Sequence, residues 1–248
     1  AQALLANMAA AYAIYHGPQG LLNISGRIHA LARVAAREVT KAGFKVNQSE
    51  FFDTFTVDVS SRGMTAAEVQ DGAASVGANV RIVDDKTVGV SMGEGITRKD
   101  LADLLSGAFR INSPDVTADD SLTKIESKYA REGEILTHPV FRQHHSETQM
   151  LRYLKSLENK DLALNHSMIS LGSCTMKLNA TSEMIPVTWP EFCNIHPFAP
   201  HDQVVGYHEM IKDLNKDLSE ITGFAAVSAQ PNSGATGEYA GLLAIKKY

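Results

Sequence analysis

Hydrophobic and polar residues follow a helical period in the first part of the chain. An Ala-rich segment over 3–15 precedes Gly17-Pro18, and apolar residues then recur every three or four positions over 24–42. This spacing places them on one side of a helix, and a glycine such as Gly43 is typical just beyond a helix C-terminus. The pattern therefore predicts two helices, separated at Gly17-Pro18 and closed by Gly43.

The following segment alternates between extended and helical periods. Residues 54–59 alternate strictly, which is typical of a half-buried strand. Residues 80–83 and 87–92 are short strand patterns joined by a polar turn, which predicts a hairpin. Thr65 and Thr97 each stand three positions before an acidic residue and begin an amphipathic pattern, so each predicts a capped helix. The order β-α-β-β-α predicts a compact α+β unit with an antiparallel sheet and helices on one face.

The second half of the chain is less periodic. A polar, acidic stretch over 112–121 indicates a boundary, and helices are predicted near 121–130 and 146–158. Residues 165–206 contain four prolines and little periodicity, and such long irregular stretches are often functional. Beyond them the pattern predicts a helix over 206–221, a short strand over 225–228, a turn over 230–238 and a last helix from 235.

Composition excludes several classes of protein. Hydrophobic residues make up 44% and charged residues 21%, which is typical of a folded globular chain. The net charge of −5 provides no basic excess for nucleic acid or an anionic membrane, and no apolar run is long enough to span a bilayer. Cys174 and Cys193 cannot form a disulfide framework and suit a reducing compartment. The chain begins without Met and stops inside a helical pattern, so we expect an internal piece of a longer protein.

Residues 232–237 are the strongest local signal for chemistry. Small residues follow Asn232 and Ser233 at the start of the last predicted helix, where unpaired backbone N–H groups and the helix dipole favour an anion such as phosphate. The spacing is neither that of a P-loop nor that of a dinucleotide-binding turn. The same pattern is typical of an ordinary helix capped by Ser233 or Asn232, so both interpretations stay open from the local sequence.

Residues 172–179 form a second polar segment without apolar periodicity. Their hydroxyl and amide groups, with the charge of Lys177, suit a substrate carboxylate, and Cys174 is a candidate nucleophile. An ordinary surface loop with a structural cysteine is the alternative. The nine histidines show no metal-ligand spacing, so no metal site is expected. His166 and His196 lie in the irregular segment and are therefore the candidates among them for a functional role.

Several longer motifs together resemble one known family. They are HSMISLGSCTMKLN over 166–179, NIHPF over 194–198 and QPNSGATGEYAGL over 230–242, with the opening AQALLANM and YHGP at 15–18. These residues are similar to the glycine cleavage system P-protein family, the pyridoxal-phosphate-dependent glycine decarboxylases, and the similarity covers the whole chain. The resemblance favours the functional interpretation of both polar segments.

The resemblance implies an α/β fold class, as a fragment of the fold-type-I architecture of pyridoxal-phosphate-dependent transferases. In this family two similar halves are joined, and only the second binds cofactor. Residues 1–115 would be the small α+β domain that ends the non-catalytic first half. Residues 116–150 would be linker helices, and residues 151–248 the N-terminal arm and the start of the catalytic second half, a large domain. The chain would therefore span the junction of the two halves.

The resemblance also implies a reaction. The complete enzyme would release CO2 from glycine, with pyridoxal 5'-phosphate as the electron sink, and pass the aminomethyl group to the lipoyl arm of the H-protein. The residues expected to hold the cofactor are Asn232, Ser233, Gly234 and Ala235. The residues expected on the substrate or lipoyl side are Ser173, Cys174, Thr175, Lys177, Asn179, His166 and His196.

The family's Schiff-base lysine lies well downstream of the motif at 230–232, so no catalytic residue is assigned within this chain. Lys246 and Lys247 are too close to that motif, on its own helix, to replace it. We therefore expect the chain alone to be inactive, and residues 206–248 to be poorly stable because their sheet is incomplete. The alternatives are a non-catalytic interaction module or subunit that pairs with a separate catalytic chain and, more remotely, an unrelated phosphate binder.

The expected partners follow from the same resemblance. They are glycine, the lipoylated H-protein and a second copy or half of the enzyme, with neither nucleic acid nor membrane. The expected compartment is the cytoplasm in a bacterium or the mitochondrial matrix in a eukaryote.

Overall fold

The computed structural model describes residues 2–117, 122, 125, 128–163, 166, 168 and 179–248. The chain divides into two compact units, one formed by Ala11–Met150 and the other by Ala1–Ala10 with Leu151–Tyr248. Each unit is described separately below. The domain boundaries predicted at residues 115 and 150 remain a prediction.

Helices and strands follow most of the predicted order. The strands are β1 (Lys45–Val46), β2 (Thr54–Asp58), β3 (Arg81–Asp84) and β4 (Thr87–Ser91). The helices are α1 (Gln2–Lys41), α2 (Ala66–Ala74), α3 (Arg98–Phe109), α4 (Glu147–Glu158), α5 (Thr181–Met184), α6 (Pro190–Cys193), α7 (Val205–Thr222) and α8 (Gly234–Lys247). Short 3-10 turns occupy Ser60–Arg62, Pro139–Arg142, Ile185–Thr188 and His201–Gln203.

Helix α1 consists of two helical segments that meet in a kink at the predicted break. Gly17 has φ 63° and ψ −179°, a conformation that is essentially restricted to glycine, and Pro18 follows it. The imidazole Nδ1 of His145 donates to the carbonyl of Tyr15 over 2.8 Å, beside the kink. At the other end Gly43 has φ 90°, and the Phe44 N–H donates to the Val39 carbonyl over 3.0 Å. The predicted break and the predicted glycine cap are both confirmed.

The sheet has four strands in the order β1-β2-β4-β3, and every neighbouring pair is antiparallel. In the central pair, Phe55 lies opposite Val90 and Val57 lies opposite Val88. The predicted β2–α2–β3–β4–α3 order is therefore confirmed. Strand β1 was missed because two residues are too few to show an alternating pattern.

One face of this sheet is covered by helices and forms the core of the Ala11–Met150 unit. Strands β2 and β4 direct buried side chains toward residues from the second part of α1, from α2 and from α3. Strand β3 lies at the sheet edge, and all four of its residues are exposed. The largest fully buried side chains are Phe55, Leu101, Leu105, Val34, Val39, Val57, Val59, Val69 and Val88.

Both predicted capping boxes are present. The Thr65 hydroxyl accepts from the Glu68 N–H over 3.2 Å, and the Glu68 carboxylate accepts from the Thr65 N–H over 2.8 Å. Thr97 makes the same pair of hydrogen bonds with Asp100, over 3.2 and 2.8 Å. The shorter aspartate therefore completes a capping box as well as glutamate does here.

Glu38 connects α1 to the segment after α3. Its carboxylate accepts from Arg37 Nε over 3.0 Å, from Lys41 Nζ over 2.9 Å and from the Asp115 N–H over 3.2 Å. The side chain is 7% exposed. Burial favours the neutral form of Glu38, but the hydrogen bonds outweigh it and hold the pKa of this carboxyl below its ordinary value.

The unit that contains Leu151–Tyr248 is mainly helical and has exposed apolar faces. Neither α7 nor α8 contains a buried residue. Residues 225–228 form no strand, so that prediction is wrong: a strand needs a neighbour to pair with, and none is present in the described part of the chain. The helices predicted at 146–158, 206–221 and from 235 are confirmed as α4, α7 and α8. The helix predicted near 121–130 lies largely outside the described residues.

Candidate functional site

The predicted phosphate-binding turn leads directly into α8. Ser233 is the N-cap of this helix, with φ −158° and ψ 166°, and its hydroxyl accepts from the Thr236 N–H over 3.3 Å. The hydroxyls of Ser233 and Thr236 lie 2.9 Å apart. The Gly237 N–H donates to the Ser233 carbonyl over 2.9 Å, which closes the first turn. The turn is therefore a capped helix start, as one of the two local interpretations predicted.

Two backbone N–H groups of this turn remain available to a ligand. Within the described part of the chain, no hydrogen bond engages the N–H groups of Gly234 and Ala235. The first N–H groups of a helix point outward from its N-terminal end, and the helix dipole makes this end electropositive. One of the two hydroxyls donates to the other, so the two N–H groups and one hydroxyl form a donor set that suits the oxygens of a phosphate monoester.

The two lysines of α8 lie at its other end. Lys246 and Lys247 occupy the last turn, where cations stabilise a helix. Lys246 is twelve residues from Gly234, which corresponds to about 18 Å along the helix axis. Neither ammonium group therefore belongs to the donor set at the N-terminus.

His196 lies in a separate pocket of the same unit. Its Nδ1 accepts from the Phe198 N–H over 3.0 Å, and the ring borders a cavity of about 540 Å³. The residues that line this cavity are Ile195, His196, Pro197, Phe198, Ala199, His201, Val204, Tyr207, His208 and Ile211. The cavity includes none of the four residues predicted to hold the cofactor.

The remaining predicted site residues divide into two groups. Asn179 lies just before α5 and its amide contacts the Met184 sulfur at 3.5 Å, while the backbone N–H of the exposed His166 donates to the Ala163 carbonyl over 3.1 Å. The predicted residues Ser173, Cys174, Thr175 and Lys177 lie outside the described residues. The residues predicted to hold the cofactor therefore lie together in the turn at the start of α8. His196 instead lines the separate cavity.

Three side chains that shape the His196 cavity were not predicted from the sequence. The rings of His201 and His208 stack with centroids 4.0 Å apart, and the Tyr207 hydroxyl donates to the Phe192 carbonyl over 2.6 Å. No local pattern links the two histidines, because His201 lies in the 3-10 turn His201–Gln203 and His208 lies in α7. In the described residues no cluster of three or more His, Cys, Asp or Glu side chains is arranged to hold a metal ion.

The comparison with known proteins decides the family. Residues 1–107 match the family model described as glycine cleavage system P-protein. The chain is 55% identical over 249 residues to a glycine dehydrogenase (decarboxylating) of Chromobacterium violaceum. It is 51% identical over 255 residues to proteins of the same description from Shewanella pealeana and Idiomarina loihiensis. The chain belongs to the glycine cleavage system P-protein family.

The P-protein relatives are much longer than this chain. Each of the three alignments covers 100% of the chain but only 26% of the relative, so the chain spans about a quarter of their length. The mixture of helices with a small antiparallel sheet is consistent with an α/β portion of a P-protein, for which a fold-type-I architecture is expected. In the part of the chain that is described, no helix combines the length and the apolarity needed to cross a membrane.

Proposed function

We propose that these 248 residues belong to a pyridoxal-phosphate-dependent glycine decarboxylase of the glycine cleavage system. The relatives named glycine dehydrogenase (decarboxylating) support this proposal, since their identity to the chain extends over its whole length. The complete enzyme would release CO2 from glycine and pass the aminomethyl group to the lipoyl arm of the H-protein. The observation on which the site assignment rests is the donor set at the start of α8.

The residues at this turn fit the phosphate of the cofactor. The N–H groups of Gly234 and Ala235 and the hydroxyl of Ser233 would hold the phosphate oxygens, and Asn232 would border the group. When bound, pyridoxal phosphate supplies a conjugated ring that accepts electrons as a carboxylate leaves as CO2. The contribution of this chain is to bind and orient the phosphate, because a fixed anchor at one end sets the position of the ring.

The amine that holds the cofactor's aldehyde group is proposed to come from another part of the longer protein. The distance from Lys246 to the start of α8 supports this, because about 18 Å of helix exceeds the reach of a lysine side chain and the cofactor ring together. No residue of this chain is therefore assigned to the catalytic step. The loop with Ser173, Cys174, Thr175 and Lys177 is proposed to face the substrate or lipoyl side, with Asn179, His166 and His196.

The domain assignment is proposed on the same basis. Residues 1–115 would close the non-catalytic half, residues 116–150 would link the halves, and residues 151–248 would begin the catalytic half. The self-contained core of the Ala11–Met150 unit supports a complete small domain in the first of these segments. The partners would be the lipoylated H-protein and the second half or copy of the enzyme, in the cytoplasm of a bacterium or the mitochondrial matrix of a eukaryote.

The phosphate site can be tested by removing a single donor from the full-length protein that contains this sequence. Gly234→Pro deletes one N–H group while the helix start is preserved, because proline is favoured at the first helical position. Gly234→Ala is the matched control, since it adds bulk and keeps the N–H group. We expect Gly234→Pro to weaken pyridoxal phosphate binding about tenfold to a hundredfold, the effect of losing a hydrogen bond to a charged group.

A second pair of variants tests the hydroxyl. Ser233→Ala is expected to weaken cofactor binding, whereas Ser219→Ala is expected to leave it unchanged, because the Ser219 hydroxyl donates to the Asn215 carbonyl on its own helix, α7. Cofactor binding is measured by its absorbance and fluorescence, and decarboxylation by release of CO2 from glycine. If Gly234→Pro bound the cofactor as tightly as Gly234→Ala, the phosphate would lie elsewhere. Failure of the complete enzyme to decarboxylate glycine would favour a non-catalytic interaction module.

A further inference from the structure

The Ala11–Met150 unit contains a cavity that the proposed glycine chemistry does not use. Its volume is about 550 Å³, and one helix contributes two of its side chains, His29 and Arg33. These residues are four positions apart on α1 and therefore lie on the same side of that helix. The other residues described at its wall include Glu50, Phe51, Phe52 and Tyr129.

His29 is held rigidly and presents one nitrogen that is not engaged. The residue is 4% exposed, and its ring stacks on Phe52 with centroids 5.5 Å apart and planes 8° from parallel. Its Nδ1 is 2.7 Å from the Phe52 carbonyl, which can only accept, so Nδ1 carries the proton. Nε2 hydrogen-bonds no residue in the described part of the chain. Nε2 of this fixed ring is therefore available to accept a hydrogen bond from a ligand in the cavity.

Arg33 supplies a charge without a carboxylate partner among the described residues. Its guanidinium lies 5.9 Å from the centre of the Phe51 ring, and this cation–π contact is the interaction that the structure gives it. The side chain is half-buried, so the charge is partly desolvated. A planar guanidinium in this state favours a carboxylate, which it can bind with two parallel hydrogen bonds.

The walls of the cavity restrict the ligand further. Phe51, Phe52 and Tyr129 provide aromatic surface, which suits a flat or apolar body. Inorganic phosphate has no such body, so an organic carboxylate suits this cavity better.

We propose that this cavity is a second ligand site, which binds a small organic carboxylate with an aromatic or apolar body. The guanidinium of Arg33 binds the carboxylate, Nε2 of His29 makes a further hydrogen bond to the ligand, and the aromatic side chains cover the body. This site is distinct from the donor set at the start of α8, and it would belong to the part of the protein that carries no cofactor.

The test uses the full-length protein that contains this sequence and two probes of the same shape. Benzoate and benzamide differ in charge but hardly in size, so their comparison isolates the carboxylate and needs no variant. Binding is followed by saturation-transfer NMR titration. We expect benzoate to bind saturably and at least tenfold more tightly than benzamide, because only benzoate forms charge-assisted hydrogen bonds with Arg33.

Variants then locate the site. Arg33→Met is expected to weaken benzoate binding tenfold or more, and Arg33→Lys to weaken it less, because lysine keeps the charge but loses the planar fork. Arg98→Met removes an exposed arginine outside the cavity and is the control that leaves binding unchanged. An unchanged thermal unfolding midpoint for Arg33→Lys shows that its effect is on binding and not on folding.

Several results would overturn the proposal. Equal binding of benzoate and benzamide, displacement of benzoate by an equal concentration of inorganic phosphate, or full binding by Arg33→Met would each do so. The test is independent of the proposed decarboxylase function. Benzoate should still bind to Gly234→Pro, so loss of cofactor binding and loss of benzoate binding can be told apart.

Discussion

Two glycines bring α2 and α3 into close contact, and replacing one of them gives the sharpest test of the packing. A Cβ atom added at Gly107 would lie 2.8 Å from the carbonyl oxygen of Gly72 and 2.8 Å from Val76 Cγ1. A Cβ at Gly72 would meet the same backbone from the other side, 3.1 Å from the Cα of Ala108. Backbone atoms cannot rotate away as a side chain can, so Gly107→Ala must push the helices apart.

The expected free-energy change is the difference between two opposing effects. Glycine is about 1 kcal/mol less favourable than alanine inside a helix, so Gly107→Ala would stabilise α3 if it had room. Restoring an ordinary contact of roughly 3.4 Å requires a shift of about 0.6 Å between two helices that cover the same sheet, and overpacking of this kind typically costs about 1–3 kcal/mol. We therefore expect a net loss of about 1 kcal/mol in the free energy of unfolding.

Urea unfolding followed by far-UV circular dichroism measures this change. The free energy of unfolding of a small protein falls by about 2 kcal/mol per molar urea. A loss of about 1 kcal/mol should therefore lower the urea midpoint by about 0.5 M. The control is Ser106→Ala, at the preceding and exposed position of α3, where alanine adds helix propensity and should raise the midpoint slightly. If Gly107→Ala and Ser106→Ala both stabilised the protein, the two helices would have room for the methyl group and would not be in close contact.

Three further predictions concern α1 and its contacts. Gly17→Ala should destabilise the protein by about 1–3 kcal/mol in urea unfolding, because φ is 63° and the new Cβ would lie 2.6 Å from His145 Cε1. Gly95→Ala is the control and should have little effect, because a Cβ atom at Gly95 would meet open space. Glu38→Gln should cost about 1–3 kcal/mol, since Arg37 and Lys41 lose a charged partner. The lowered pKa of Glu38 stabilises the fold above about pH 4.3, the unfolded value, and this contribution is lost as pH falls through the folded pKa. Urea midpoints between pH 7 and 3 should therefore fall less steeply in Glu38→Gln, and an equally steep fall would contradict this assignment.

Local patterns predicted the Ala11–Met150 unit well because its elements are determined by neighbouring residues. The hydroxyl of Thr97 and the carboxylate of Asp100 form their hydrogen bonds within one turn, so the capping box is visible in sequence. The strand predicted over 225–228 depends on a partner strand, which its own residues do not specify. Local alternation reports the propensity of a strand but not whether a neighbour is present to pair with it.

The candidate sites were predicted unevenly for the same reason. The donor set at Ser233 and Gly234 lies within one turn, so its residues were found together. The cavity of His29 and Arg33 was not predicted, because Phe52 and Tyr129 reach it from distant parts of the chain. The amphipathic pattern over 24–42 rests on apolar positions, so it indicates neither that His29 is buried nor which aromatic side chains meet it.

Exposure of α7 and α8 links the proposed phosphate site to the folding of the longer protein. Ile221 is 80% exposed, Leu242 is 64% exposed and Ile245 is 74% exposed, so these helices leave apolar surface that folded proteins normally bury. An isolated helix of 14 residues is marginal in water, and its first turn frays readily. The N–H groups of Gly234 and Ala235 can act as a fixed anion site only while that turn is formed. Burial of the apolar face of α8 by other parts of the P-protein is therefore expected to raise phosphate affinity, although the covering residues would not contact the phosphate.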